Sequence, residues 1–311
     1  MLLSSSRSRP LPGRRADASA AGDGVCKLHR RAGDGSCGAL VTVNRETPIP
    51  NQDDTTTRSG PPRLDRMNLE AHLADPALKQ RFVTRMFDII APRYDRFTRV
   101  FSFGMDRKWK AELTTWLGKN VSPDARVLDL ACGTGDIAFA AAAMAPRGSV
   151  LGVDASIAMI EIANGRSTRE APAGNVRFVV GDISALDLPA GSVDAIAAGY
   201  ALRNVPDYSQ AVAEIARVLK SGGVLATLDF YRPESPWWRP LFLAYLRAAG
   251  NWVGWLWHRQ PVVYGYIAAS IDHFVSWQRF SMALEAHGLR VEAVRTKLLG
   301  GVVLHVARKA T

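Results

Sequence analysis

Cysteine is scarce. Three occur in 311 residues, Cys26, Cys37 and Cys132, with no Cys-x-x-Cys pair and no cluster with histidine. That spacing excludes a zinc ribbon and a disulfide framework, and it suits a reducing compartment. Long apolar runs are missing too. A spanning helix needs about 18–20 uninterrupted apolar residues, and the nearest stretch, residues 241–257, is broken by Arg247 and Asn251. No Gly-Lys-Ser/Thr follows a glycine turn, so the chain has no P-loop. There is no internal repeat. The first sixteen residues contain no acid but several Arg and Ser, the composition of an organelle transit peptide.

What is present is an ordinary globular composition, 47% hydrophobic and 22% charged, with a net charge of +10. Residues 1–66 carry eleven Lys/Arg and seven Asp/Glu, so +4 lies there and +6 remains for the body. A surplus of six suits an anionic partner such as a membrane surface, and equally suits a merely soluble basic face. Residues 1–66 are rich in Ser, Arg, Gly, Pro and Asp and lack periodicity. They read as a disordered or targeting tail, or as a start assigned too early, with Met67 as the true beginning.

From about residue 67 the pattern becomes regular. Residues 82–90 and 108–117 read as amphipathic helices of an N-terminal cap spanning about 67–120. Strands are expected at about 126–131, 149–153, 176–180, 193–198 and 223–230, with helices between them at 136–145, 156–164 and 207–219. This alternation implies an α/β fold with a parallel sheet covered on both faces. An aromatic, helix-like insertion follows at 235–258, extending to about 265, and it carries five of the eight tryptophans. A helix at 272–287 and two strands at 290–296 and 301–307, joined by a glycine turn, complete the body.

The segment VLDLACGTGD (127–136) is a strand, a glycine turn and a helix start. Gly133-x-Gly135-x-x-Ala138, with Asp154 about 20 residues on, fits the dinucleotide fingerprint. It fits an S-adenosylmethionine (SAM) site as well, and three details favour SAM. Asp129 and Asp136 place carboxylates by the turn, where they repel a pyrophosphate and attract a sulfonium or ammonium. Asp154 ends the second strand, where it can accept ribose hydroxyls. Asp182 follows the third, within reach of an adenine amino group. Each Asp alone reads equally well as a helix N-cap; three at successive strand ends are hard to explain as caps together.

Taken in order, LDLACGTGD, GVDAS (152–156) and VVGDISALDLP (179–189) resemble the SAM-binding motifs of class I methyltransferases. YALRNVPD (200–207) resembles a segment of the ubiquinone/menaquinone-biosynthesis C-methyltransferases. Arg93-Tyr94-Asp95 with SFGMDRKWK (102–110), DFYRP (229–233), YGYIAASI (264–271) and LLGGVVLH (298–305) resemble that family's other signatures. The likeness covers about residues 80–309. It departs from the family pattern at Phe97-Thr98, Asp106-Arg107 and Cys132, which leaves the benzoquinol or naphthoquinol identity of the acceptor open.

The resemblance implies a Rossmann-like, seven-stranded, mostly parallel sheet with one antiparallel strand, helices on both faces and an N-terminal helical cap. It implies SAM as methyl donor, no metal, and C-methylation of a prenylated quinol. The cofactor-binding set is then Asp129, Cys132, Gly133, Thr134, Gly135, Asp154, Ala155, Asp182 and Ile183. The catalytic set is Arg203, Tyr94 and Asn204. Arg203 is expected to stabilise a phenolate or orient a water; its plain alternative is an ion pair with Asp182 or Asp207. Tyr94 reads equally as aromatic packing, and Cys132 as a small buried packer. The tryptophan-rich insertion suggests peripheral docking on a membrane, or a lid or homodimer contact. The expected location is cytoplasmic and membrane-associated, or the matrix side of the mitochondrial inner membrane if the N-terminal segment targets. No nucleic-acid partner is expected, because the body lacks a Lys/Arg stripe and an RNA module. The rival readings are a methyltransferase of another small aromatic or lipid acceptor, and a non-catalytic Rossmann-like module binding a nucleotide or RNA.

Overall fold

A computed structural model describes residues 75–171, 173–257 and 262–311, without the side chains of 251–264. The tail 1–66, Met67, and the side chains of Trp252, Trp255, Trp257 and Arg259 lie outside the described residues.

Helix α1 (Pro76–Ile90) starts at an N-cap, Asp75, whose carboxylate accepts from Leu78 N at 3.0 Å. A short 3₁₀ turn (Ala91–Arg93) leads into α2 (Tyr94–Phe101), and α3 (Met105–Asn120) follows. Strand β1 (Arg126–Leu130) opens the α/β alternation: α4 (Asp136–Met144), β2 (Ser149–Asp154), α5 (Ile157–Glu170), β3 (Val176–Val180), β4 (Val193–Gly199), α6 (Tyr208–Val218) and β5 (Leu219–Phe230). Two helices, α7 (Trp238–Trp257) and α8 (Val262–His273), then precede α9 (Trp277–Ala286), β6 (Leu289–Lys297) and β7 (Val302–Lys309).

The seven strands form one sheet in the order β3-β2-β1-β4-β5-β7-β6. β7 runs antiparallel to both β5 and β6, and the β1–β2, β1–β4, β2–β3 and β4–β5 pairs are parallel. Side chains alternate between the faces. Val127, Ala195, Ala197, Val224 and Leu304 pack against Leu113 and Leu117 of α3 and Ala138, Ala141 and Ala142 of α4. Leu128, Leu130, Ile196, Ala198 and Val303 pack against Val212 and Ile215 of α6 and Phe280 and Leu284 of α9. With both faces covered, central strands lack a polar side, which is why β1 and β4 are mostly apolar, with Asp129 and Asp194 among the exceptions.

Three expectations change in detail. Strand β5 begins at Leu219, because the chain leaves α6 directly in extended backbone and Gly222 (φ +73°) then carries the kink. The helix expected at 272–287 is two helices. Ser276 breaks it, capping α9 by accepting from Arg279 N at 3.4 Å. Residues 94–101, read from sequence only as a motif, are helical.

A histidine lies inside this core. His305 on β7 is fully buried; its Nε2 meets Ser281 Oγ at 3.1 Å and its Nδ1 lies 3.5 Å from the Tyr231 hydroxyl. Burial pushes its pKa down to about 4. The unfolded chain therefore binds the proton first as pH falls below the ordinary histidine value. His305 supports the fold fully above pH 6.5 and progressively less toward pH 4, with about 2 kcal/mol lost between pH 7 and pH 5. Urea denaturation at those two pH values should show this loss, and His305→Gln should flatten it; an equal loss in both proteins would refute the linkage.

Candidate active site

The carboxyl ends of β1, β2, β3 and β4 meet the cap at two adjoining cavities. The first, of about 630 Å³, is lined by Gly133, Asp154, Ala155, Asp182, Ile183 and Asn204, among others. The second, of about 640 Å³, is nearly all aromatic and aliphatic, with Met86, Phe97, Trp109, Phe230 and Tyr266 around Arg203. Phe87, Tyr94 and Tyr200 line both cavities and form their shared wall.

The first cavity is built on the glycine turn. Gly133 has φ +54° and Gly135 φ +93°, conformations that cost an L side chain energy. A Cβ on Gly135 would also lie 2.8 Å from both the Phe139 and Phe178 rings. Asp154 fastens the turn: Oδ2 accepts from Gly133 N at 2.8 Å and Oδ1 from Ser156 N at 2.9 Å. Burial raises its pKa, against the backbone donors that hold it ionised. Each oxygen keeps a further lone pair for a ligand hydroxyl. Asp182 is exposed at the rim and accepts from Ser184 N at 2.8 Å.

Four residues of the expected cofactor set do not line this cavity. Asp129 points under the turn, 1% exposed, and burial lifts its pKa to about 8. It is then mostly protonated at neutral pH, so the repulsion expected from it is weak. Asp136 is matched by Lys110 at 3.1 Å and Arg166 at 2.9 Å. The electrostatic case against a pyrophosphate therefore does not rest on these two acids. Cys132 packs inward: a Cβ on Gly152 would lie 2.9 Å from its sulfur, and burial raises its thiol pKa well above the usual value. Thr134 turns away, donating to Asp95 Oδ1 at 2.8 Å. Gly135 faces the aromatic pair. These residues shape the turn from behind.

Arg203 is 7% exposed. Its ion-pair partner is neither Asp182 nor Asp207 but Asp229 at the end of β5, with Nε 3.2 Å from Oδ1 and out of line for a hydrogen bond. Asp207 instead caps α6, accepting from Ser209 N at 2.8 Å. Burial raises the Asp229 pKa, and the Arg203 charge opposes that. Arg203 Nη1 donates to Asn204 Oδ1 at 2.7 Å, and the Tyr266 hydroxyl donates to the same oxygen at 2.9 Å. Asn204 Nδ2 donates to the Tyr200 carbonyl at 2.8 Å. Asn204 thus lines the first cavity while tied to a residue of the second. Tyr94 meets the Phe87 ring edge-on at 5.9 Å, so both packing and a place in the site are realised.

Sequence reasoning missed Asp229, Tyr200 and Phe87 as site residues. Asp229 carried a signal, a lone acid ending the apolar strand VLATLDF. Phe87 lies on the apolar face of α1 and carried none that separates it from core.

The model of the ubiE/COQ5 methyltransferase family matches residues 76–309. The chain belongs to the ubiE/COQ5 methyltransferase family. It is 35% identical over 233 residues to a demethylmenaquinone methyltransferase of Leptospira interrogans, covering 74% of this chain and 94% of that one. It is 33% identical to one from Lactiplantibacillus plantarum, covering 73% and 95%. A solved geranyl diphosphate C-methyltransferase from Streptomyces coelicolor A3(2), 17% identical, shares the fold with a TM-score of 0.50 over 64% of this chain and 76% of that one. This ubiE/COQ5 family member is a SAM-dependent methyltransferase.

Asp154→Ala removes the buried acceptor at the β2 end and should weaken SAM binding by about 1.5–3 kcal/mol, the cost of a lost charged hydrogen bond. Calorimetry reads it directly. Unchanged affinity, or tighter binding of NAD than of SAM, would remove Asp154 from the site.

Proposed function

We propose that this methyltransferase methylates a ring carbon of a prenylated quinol, with demethylmenaquinol as the acceptor. The observation that carries the reading is the wall of Phe87, Tyr94 and Tyr200, which separates a cavity carrying the Asp154 and Asp182 carboxylates from a mainly aromatic one. A flat, apolar ring fits the second cavity, and the names of the curated relatives favour a naphthoquinol.

SAM, when bound, supplies an electrophilic methyl group on a sulfonium. Asp154 and Asp182 would hold the nucleoside end, and Gly133 leaves room against Tyr94. Quinol carbon becomes nucleophilic as a ring hydroxyl loses its proton. Arg203 faces the aromatic cavity, and its guanidinium would stabilise the ring oxygen as charge develops. It is not itself the base, since it stays charged; a water beside it would pass the hydroxyl proton to solvent, and the methylated carbon would then lose its own proton by the same route as the ring regains aromaticity. Asn204, which lines the first cavity, would hold the Arg203 guanidinium and the loop after β4 in position through its bonds to Arg203, Tyr266 and the Tyr200 carbonyl. The aromatic walls would exclude water and fix the ring.

A polyprenyl tail dissolves in lipid, so the acceptor cavity should open toward a membrane. Helix α7 supports this. Phe242, Leu243 and Leu246 are buried, while Trp237 just before it, Leu241 and Tyr245 stand four residues apart and are exposed. Arg239 and Arg247 are exposed on the same helix and would add attraction to anionic lipid of about 1 kcal/mol each. No helix among the described residues is long and apolar enough to cross a membrane. On this reading the enzyme works at a membrane surface, cytoplasmic or, if residues 1–66 target, in the mitochondrial matrix.

Two experiments test the proposal. Arg203→Lys should lower turnover of a short-chain demethylmenaquinol about 10²-fold or more while SAM affinity holds; loss of SAM binding instead would make Arg203 structural. Wild-type protein should sediment with anionic liposomes at low salt. The triple change Trp237→Ser, Leu241→Ser and Tyr245→Ser should leave the protein in solution, still binding SAM. Equal sedimentation of the two, or none, would refute docking through this face.

A further inference from the structure

Tyr200 follows β4 in the left-handed region, φ +58°, which costs a tyrosine about 1 kcal/mol or more. Two bonds hold it there: its N–H donates to the Leu228 carbonyl at 2.6 Å, and its own carbonyl accepts from Asn204 Nδ2 at 2.8 Å. The ring lies against Phe230, centroids 5.5 Å apart and tilted 31°. Phe230 lines only the aromatic cavity, so the ring leans to that side of the wall. Tyr200 is 8% exposed, and its hydroxyl has no hydrogen-bond partner among the described residues. Tyr94, Asp106 and Arg203, which line that cavity, are close enough to perturb the hydroxyl electrostatically.

A buried donor left unpaired is expensive, about 1–3 kcal/mol. Phenylalanine would fill the same space without that cost. The strained backbone and the orphan hydroxyl both have an explanation if a ligand accepts the bond. Burial keeps the phenol protonated far above neutral pH, so it is always a donor.

We propose that the Tyr200 hydroxyl donates a hydrogen bond to a ring oxygen of the acceptor, so that Tyr200 is a specificity-determining residue for hydroxylated rings. The bond strengthens as that oxygen gains charge. Arg203 and Tyr200 then act on ring oxygen from the same cavity, one through charge and one through direction. This inference rests on the quinol reading above.

The test is a cycle between protein and ligand. Wild type and Tyr200→Phe are compared for binding of a short-chain demethylmenaquinol under reducing conditions, and of the two analogues that lack one or the other ring hydroxyl. Wild type should prefer the full quinol over one analogue by about 10-fold or more, as a site with a buried polar group rejects a ligand lacking its partner. Tyr200→Phe should abolish that preference by weakening the quinol alone. SAM affinity should not change, and the thermal midpoint of the ligand-free protein should not fall, since a buried unpaired donor has been removed. Equal weakening toward all three ligands would mean a merely structural role and would overturn the proposal, as would a preference that survives the change. If wild-type protein neither binds nor methylates any quinol, the acceptor reading fails; if it methylates the quinol and the preference persists in the variant, only the role of Tyr200 fails.

Discussion

At the end of β5 a carboxylate is carried out of water. Asp229 is 1% exposed, and Arg203 answers it across 3.2 Å. Backbone donors complete the arrangement: Arg203 N reaches Oδ2 at 3.2 Å and Phe230 N reaches Oδ1 at 2.8 Å. Removing one partner of such a buried pair typically costs about 3–5 kcal/mol, because the other charge is stranded. The pair therefore staples the loop after β4 to the tip of β5. That loop carries Tyr200, Arg203 and Asn204, so their positions follow from one ion pair and the bonds that radiate from it.

The cap is held over this loop by polar ties rather than by apolar area alone. Ser156 Oγ donates to Asp88 of α1 at 2.5 Å, and Lys79 Nζ donates to the Val205 carbonyl at 2.6 Å. Burial and the nearby Arg203 charge bring the Lys79 pKa down to about 8. On the other side Arg166 donates to the Thr134 carbonyl at 2.9 Å and pairs with Asp136 at 2.9 Å and Asp95 at 3.6 Å. Asp95 belongs to α2 and Thr134 to the glycine turn. The Ser156 and Lys79 bonds join α1 to loops at the carboxyl edge of the sheet, and Arg166 on α5 ties Asp95 of α2 to the glycine turn and the start of α4. Cap and glycine turn are mechanically one structure, which is how residues as distant in sequence as Tyr94 and Tyr200 share a wall.

Much of this was legible in sequence, for physical reasons. Short, mainly apolar strands alternating with helical patterns are plain in a sequence, so β1 to β4 were found within a residue or two. Glycines at positive φ and acids at strand ends marked the turn. The failures are equally physical. Charge on Asp129 depends on burial, which a sequence does not display; the same letters describe an ion at a rim and a neutral acid under a turn. The partner of Arg203 lies 26 positions on, past α6 at the end of β5, and only the parallel pairing of β4 with β5 brings the two together, so the sequence offered Asp182 and Asp207 instead. Ser276 is one polar residue in a helical pattern, and only its cap geometry shows that the helix ends there. Aromatic side chains of α1 serve a cavity and a core with the same periodicity.

The aromatic cavity contains few charges, and their arrangement bears on catalysis. Asp106 is engaged by the Ser102 hydroxyl at 2.8 Å, and Arg203 lies over the Phe230 ring at 5.6 Å while paired with Asp229. A neutral quinol entering such a space binds through apolar area and gains little from the guanidinium. Once a ring oxygen carries negative charge, the same guanidinium attracts it at close range through low-dielectric surroundings, where Coulomb energy is several-fold larger than in water. On the proposed role of Arg203 the interaction would be weak in the ground state and strong in the state that reacts, which is the condition for raising turnover rather than merely tightening binding. Asp229 would serve that difference as well. By holding the guanidinium in place before the acceptor arrives, it would spare the reaction the reorganisation that a mobile arginine or bulk water would require.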